Sequence, residues 1–170
     1  MEIRPASDED RARREATTRR VLALAQEGIC PTCRNLATGE VYPTHEPRTF
    51  YEDDRLWCFL EAHPRNPGHT IVLLKRHYED ISELSAEAGA AVTKTILAAV
   101  GALKRVLGAE KVYLCTMCDG RRNHLHFQLI PRLPGDEVQG SRLFVKERAL
   151  LGECRDVVER LRAEMSELER

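Results

Sequence analysis

The hydrophobic pattern of this chain changes rhythm repeatedly, and each change marks an element. Residues 7–27 read as a helix: Ser7 with Asp10 makes a capping-box pair, acids fill the first turn, and Gly28 offers a stop. Charge dominates this helix until "VLALA", so it is expected to lie across the surface with its end anchored. "CPTC" at 30–33 reads as a knuckle-like turn, and residues 35–48, with Gly39, Pro43 and Pro47, as a loop or short edge strand. "TFYEDDRLWCFLEAHP" reads as a hairpin that turns at Asp53–Asp54 and runs on through Phe59. "HTIVLLKRH" is a run of branched residues typical of a buried strand.

The period then lengthens. Residues 80–108 form the longest predicted helix, with Ile96, Leu97, Val100, Leu103 and Leu107 at helical spacing and Gly108 ending it. "KVYLCTMC" and "HLHFQLIP" read as two strands separated by "DGRRN", and "DVVERLRAEMSELER" closes the chain as an amphipathic helix. Helices segregated from runs of strands predict an α+β domain with a mainly antiparallel sheet. Its expected parts are an N-terminal helical extension (1–28), a central domain carrying the "CPTC" knuckle (29–135), and a C-terminal loop and helix (136–170).

Composition narrows the function. The 170 residues suit one domain with a real core, and 31% charged residues at a net charge of −1 leave no general basic surface for nucleic acid or an anionic membrane. Apolar stretches fall short of the roughly 20 residues that span a bilayer. The N-terminus lacks the apolar core of a secretory signal, so a cytoplasmic location is expected. Four of the six cysteines form two CxxC pairs, Cys30/Cys33 and Cys115/Cys118, while Cys58 in "LWCFL" reads as a small core residue.

In a reducing compartment CxxC means metal ligation or redox chemistry. The redox reading of "CPTC" is weakened because the motif is not expected to open a helix after a buried strand. A tetrahedral zinc site needs about four Cys or His ligands, two of which a CxxC turn supplies. Cys115 and Cys118 are the poorer complement, since residues three apart on a strand face opposite ways. His77 and His124 are the better candidates.

"RRNHLHFQLIPR" carries the sharpest signal. On an extended strand His124, His126 and Gln128 share one face, with Leu125, Phe127 and Leu129 on the other. Arg121, Arg122 and Asn123 beside them suit phosphate oxygens. A neutral imidazole near a phosphate is a nucleophile poised to form a phosphoramidate. Hydrogen-bonded sheet histidines are the bland alternative.

"HLHFQLIPR" resembles the histidine-triad signature, with Gln128 in place of the third histidine. The upstream "YEDDRLWCFLEAHPRNPGHTIVLLKRH" is similar to the family's first half-motif in the same order, and together they cover residues 50–132. The Gln variant is similar to the galactose-1-phosphate uridylyltransferase branch and to dinucleoside tetraphosphate phosphorylases. The resemblance implies a HIT-like fold and a nucleotide or nucleotide-conjugate substrate. It makes His126 the nucleophile that forms a nucleotidyl-histidine, and Gln128 a phosphate contact. It implies a structural zinc on Cys30, Cys33, His77 and His124, which would fasten the N-terminal segment and aim His126. It also implies Glu61 on the ribose hydroxyls. Phe59, Leu60 and Trp57 are base-pocket candidates for which a core role is equally open. His69 lies near the site in the family, and backbone support is its plainer role. His45 and His63 receive none.

The chain departs from the family before the triad, where "CDGRRN" replaces an Asn and a Gly-Gln-Ser/Thr loop; Arg121, Arg122 and Asn123 are the expected substitutes. It is half the length of the two-unit transferases, so a homodimer is expected. The leading reading is a nucleotidyl transferase or hydrolase. The alternatives are a nucleotide-binding regulatory module of the same fold, and a zinc-stabilised interaction module.

Overall fold

Strand pairing, rather than helix packing, places the central side chains. In the computed structural model, which describes residues 1–43, 45–117 and 122–168, five strands form one antiparallel sheet. They are β2 (Thr49–Glu52), β3 (Leu56–Leu60), β4 (Thr70–Leu74), β5 (Lys111–Cys115) and β6 (His126–Arg132), in the order β2-β3-β4-β6-β5. The expected hairpin is β2–β3, and Asp53 shapes its turn by accepting from the backbone N–H groups of Arg55 and Leu56. β4 is buried at every position because both its faces are covered.

One face of the sheet packs on α3 (Ala86–Leu107) and α5 (Arg155–Leu168). Cys58, Val72, Leu125, Phe127 and Leu129 enter this main core, together with Ala99, Ala102 and Leu103 of α3 and Leu161 of α5. Ser85 caps α3 and Gly108 ends it. By length and composition alone α3 could cross a membrane, although the apolar runs read as too short for that. In the fold it is the core helix, with Val92, Ile96 and Leu103 buried. The expected stripe is off by part of a turn: Leu97 is 66% exposed, because the alanines let α3 lie close to the sheet on the neighbouring face.

The opposite sheet face carries a smaller apolar cluster of Phe59, Ile71 and Leu73, which Leu36 of α2 (Pro31–Thr38) touches. The "CPTC" knuckle therefore opens a helix, a correction to the loop expected at 35–48. Cys30 is the N-cap, Pro31 occupies the first turn, and Gly39 closes the helix at φ +70°. Above it lies α1 (Asp8–Gln26), with the Ser7–Asp10 capping box formed in both directions and no buried residue. Two short strands, β1 (Ile3–Arg4) and β7 (Leu150–Leu151), pair antiparallel and tie the ends of the chain together. Between them in sequence sits the short α4 (Arg142–Val145). Cys58 is fully buried as a core residue.

The turn into β4 depends on Gly68. It sits at φ +82°, and an added Cβ would lie 2.3 Å from Leu107 Cδ1 and 3.0 Å from Pro131 Cγ. Gly68→Ala should therefore destabilise the fold by about 2–4 kcal/mol, combining left-handed strain with overpacking. Gly39→Ala, at φ +70° with nothing within 4 Å of the new carbon, should cost only about 1–2 kcal/mol. Urea unfolding of both variants checks this, and equal losses would show that crowding at Gly68 does not matter.

Candidate active site and metal centre

The metal centre is assembled from three separate stretches of chain. The N-cap geometry of Cys30 and the first turn of α2 aim both thiols at one point. His77 follows the end of β4, and His124 precedes β6. Cys30 Sγ lies 3.5 Å from His124 Nδ1, and Cys33 Sγ lies 3.4 Å from the Nδ1 atoms of both His77 and His124. The two imidazole nitrogens are 3.4 Å apart, and all four donor atoms fall within 4.8 Å of one another. A tetrahedral zinc with Zn–S about 2.3 Å and Zn–N about 2.0–2.1 Å separates its donors by roughly 3.3–3.8 Å, so the spacing fits.

The protonation pattern fits as well. His124 is 5% exposed and its Nε2 lies 2.6 Å from the Leu74 carbonyl. A carbonyl can only accept, so Nε2 carries the proton and the Nδ1 lone pair faces the cluster. Burial, reinforced by the neighbouring Cys30, pushes the Cys33 thiol up to about 11. A thiol held protonated is a weak partner in disulfide exchange, whereas a cation reverses the penalty. Although "CPTC" does open a helix, that helix follows α1 and not a buried strand, and its thiols converge with two imidazoles. Cys115 sits at the end of β5, away from the cluster; Cys118, Asp119, Gly120 and Arg121 lie outside the described residues.

The catalytic candidates lie one step along the sheet. β4 pairs with β6 so that Leu73 faces His126 and Ile71 faces Gln128. This puts both polar side chains on the face away from the main core, as the alternation predicts. His124 stands just before the strand and turns to the metal cluster instead. His126 Nδ1 lies 3.0 Å from the His124 carbonyl, so Nδ1–H donates and the Nε2 lone pair is left for the cavity that His126 lines.

Gln128 is oriented by His69, which is 1% exposed. The Arg65 backbone N–H donates to His69 Nδ1 at 3.2 Å, so the ring proton sits on Nε2 and donates to Gln128 Oε1 at 3.0 Å. The Gln128 amide nitrogen is thereby turned away from His69. Burial, opposed by the Glu61 carboxylate, pushes His69 down to about 4, so it is neutral at pH 7. His69 thus stands beside Gln128 and holds its amide by this hydrogen bond.

The cavity is about 590 Å³ and runs between the sheet face and the two N-terminal helices. Phe59, Ile71 and Leu73 form its apolar floor, while Leu36 and Tyr42 face them. His45, to which the sequence assigned no role, stacks on Phe59 with ring centroids 4.1 Å apart and planes 15° apart. Its Nδ1 accepts from the Arg48 guanidinium at 2.8 Å, and burial pushes it down to about 4. No spacing signal in the chain marks it, because its ring partners Phe59 and Trp57 come from β3. Trp57 meets Phe59 edge-on and donates to Thr49 Oγ1, outside the cavity lining. Leu60, named beside Phe59 as a pocket candidate, points to the opposite sheet face and is buried in the main core.

Glu61 lines the same cavity two residues beyond Phe59. Burial works to raise its carboxyl, but the His63 backbone N–H at 3.0 Å and the fields of His69, Arg148 and Arg48 outweigh it and hold the group below the usual range. Arg122 pairs with Glu79 at 3.4 Å near the metal cluster instead of lining the cavity. Asn123 precedes the cluster histidine and lies outside the cavity lining too.

This fold is shared with known proteins. A family model of the HIT domain matches residues 43–135, more than half of the chain. An uncharacterised HIT-like protein of Methanocaldococcus jannaschii is 34% identical over 113 residues, which span 64% of this chain and 82% of that protein. Among solved structures, a hypothetical histidine triad nucleotide-binding protein from Sulfolobus tokodaii superposes with a TM-score of 0.63 at 24% identity, covering 83% of this chain and 95% of its own. A Zn-bound histidine triad family protein from Mycobacterium smegmatis gives 0.61 at 22%, covering 81% and 93%. The paired β4–β6 core and the family model thus lead to one conclusion: the chain belongs to the HIT domain family of nucleotide-binding proteins.

Proposed function

We propose that the protein is a nucleotidyl transferase or hydrolase that works through a covalent His126 intermediate. The observation that carries this reading is the His126 tautomer: Nδ1–H is committed to the His124 carbonyl, leaving Nε2 as a lone pair on the cavity wall. In the first step that lone pair attacks the phosphorus of a bound nucleotide, the phosphorus–oxygen or phosphorus–nitrogen bond to the leaving group breaks, and a nucleotidyl-histidine forms. In the second step water or another acceptor attacks the same phosphorus and releases His126. Gln128, with its carbonyl held by His69, offers its amide N–H to a non-bridging oxygen as charge builds. The stacked pair of Phe59 and His45 offers the base an aromatic surface, and Glu61, held ionised, accepts from the ribose hydroxyls.

Zinc belongs to the same reading. Cys30, Cys33, His77 and His124 would hold it, and its contribution there is structural, clamping α2 to the ends of β4 and β6. A homodimer is supported by β5, a sheet edge that carries the exposed Leu114.

The deciding measurement is to incubate the protein with labelled diadenosine polyphosphates, nucleoside phosphoramidates and UDP-sugars, then quench and isolate acid-labile nucleotidyl-protein. His126→Ala should abolish the label. Gln128→Ala should still form it, about 100-fold more slowly, as for loss of one oxyanion donor. Nucleotide binding with neither label nor product would favour the regulatory-module reading.

Metal analysis should return about one zinc per chain. The Cys30→Ala/Cys33→Ala double variant should lose it together with several degrees of Tm, and full retention would sink the assignment.

His69 predicts a pH dependence of stability. Its folded value is about 4 against an ordinary 6.5, so protons bind the unfolded chain more readily. The stability is present in full above pH 6.5 and is lost as pH falls towards 4. Between pH 7 and 5.5 the loss should be about 1 kcal/mol. Urea unfolding of wild type and His69→Gln at these two pH values tests it, since the variant should lack that increment of slope.

A further inference from the structure

The cavity does not end at Glu61. Beyond it the wall is built by Arg14 of α1, Arg148 just before β7, and His63. Asp10 and Arg13 also line the cavity, but each is answered locally: Asp10 by Arg4 at 2.8 Å and the Ser7 cap, Arg13 by Glu9 at 2.6 Å. Arg148 donates to a neutral acceptor, the His63 carbonyl, at 3.1 Å. Arg14 has no ion-pair partner among the described residues.

The arginines crowd one another, while burial holds His63 below its ordinary value and keeps it neutral at pH 7. Arg14 and Arg148 both press on His63, and Arg14 also presses on Arg148 and Arg65. Glu61 is the acid that favours the charge on Arg148 and Arg65, so a single carboxylate serves both, and the neutral His63 ring beside them adds a hydrogen-bond donor. Such an imbalance, open to a cavity deep enough for a nucleotide, is what an incoming dianion would relieve. Guanidinium groups suit it because two N–H groups meet two phosphate oxygens in one plane.

Building on the placement of Glu61 at the sugar, we propose that Arg14, Arg148 and His63 form a second anion site, which takes a phosphate carried on the ribose 2′ or 3′ oxygen. The preferred substrates are then nucleotides phosphorylated at both ends of the ribose. The 5′ phosphoryl group faces His126, and the second phosphate lies beyond Glu61, which keeps the remaining hydroxyl. The N-terminal helix thereby joins the binding site through its charge.

Calorimetric titration at fixed ionic strength tests this with AMP, adenosine 2′,5′-bisphosphate and adenosine 3′,5′-bisphosphate, and with the matching uridine series. One bisphosphate should bind wild type about tenfold or more tightly than its monophosphate, the gain expected of a charge-assisted contact. Arg14→Ala should bring that ratio below about threefold. This variant sits on a helix with no buried residue, so it should fold normally. Arg148→Ala should move the ratio the same way. If the monophosphates bind and neither bisphosphate is tighter, or if the ratio survives Arg14→Ala, the second site is wrong while the nucleotide reading stands. If neither monophosphate nor bisphosphate binds in either series, the nucleotide reading itself fails and the second site falls with it.

Discussion

The hydrogen bond from the His124 ring to the Leu74 carbonyl joins the end of β4 to the start of β6. It fixes which nitrogen of His124 carries the proton, and so which one faces the cluster of Cys30, Cys33 and His77. The same backbone turn presents the His124 carbonyl to His126, which decides the tautomer of the second ring in its turn. Orientation passes from a buried strand carbonyl to one imidazole and then to the next. A second, shorter series runs from the Arg65 N–H through His69 to Gln128. Both series begin at a backbone group that has only one hydrogen-bonding role, which leaves little ambiguity at their ends. Removing Leu74 from its register would disturb both, because β4 pairs with β6 through residues 70–73.

Much of this was legible in the chain because period-2 alternation is a strong signal. His126 and Gln128 lie on the face opposite Phe127 and Leu129, as their spacing requires. The Ser7–Asp10 pair also formed as its sequence implies, since a capping box is a local device. The failures share a different cause. The eight-residue α2 is too short to show a period, and its N-cap is a cysteine, which no capping preference flags. β1 and β7, two residues each, leave no pattern at all. His45 finds Phe59 across a turn and a strand, a contact visible only after the chain has folded. Leu97 was misassigned because alanine is weakly apolar in a pattern yet packs closest in a fold.

The remaining feature needing a physical reason is α1. A helix with no buried residue contributes little to stability by packing. It is held at its start by the capping box and by the pairing of Ile3 with Leu151. Along its body Arg20 donates to the Glu40 carbonyl at 2.6 Å and the helix touches α2, so polar contacts seat it and its other side chains can vary with little effect on the core. The side chains it presents to the cavity are charged or polar from Asp10 to Thr18, with Val21 following them. Apolar substitution there would have buried surface and rigidified the cover, so packing alone does not account for those residues. The sheet therefore supplies the geometry of the site, and α1 adds charged and polar groups to one wall of it. Geometry must be held to fractions of an ångström by buried hydrogen bonds, whereas a field acts over several ångströms and tolerates a loosely seated helix.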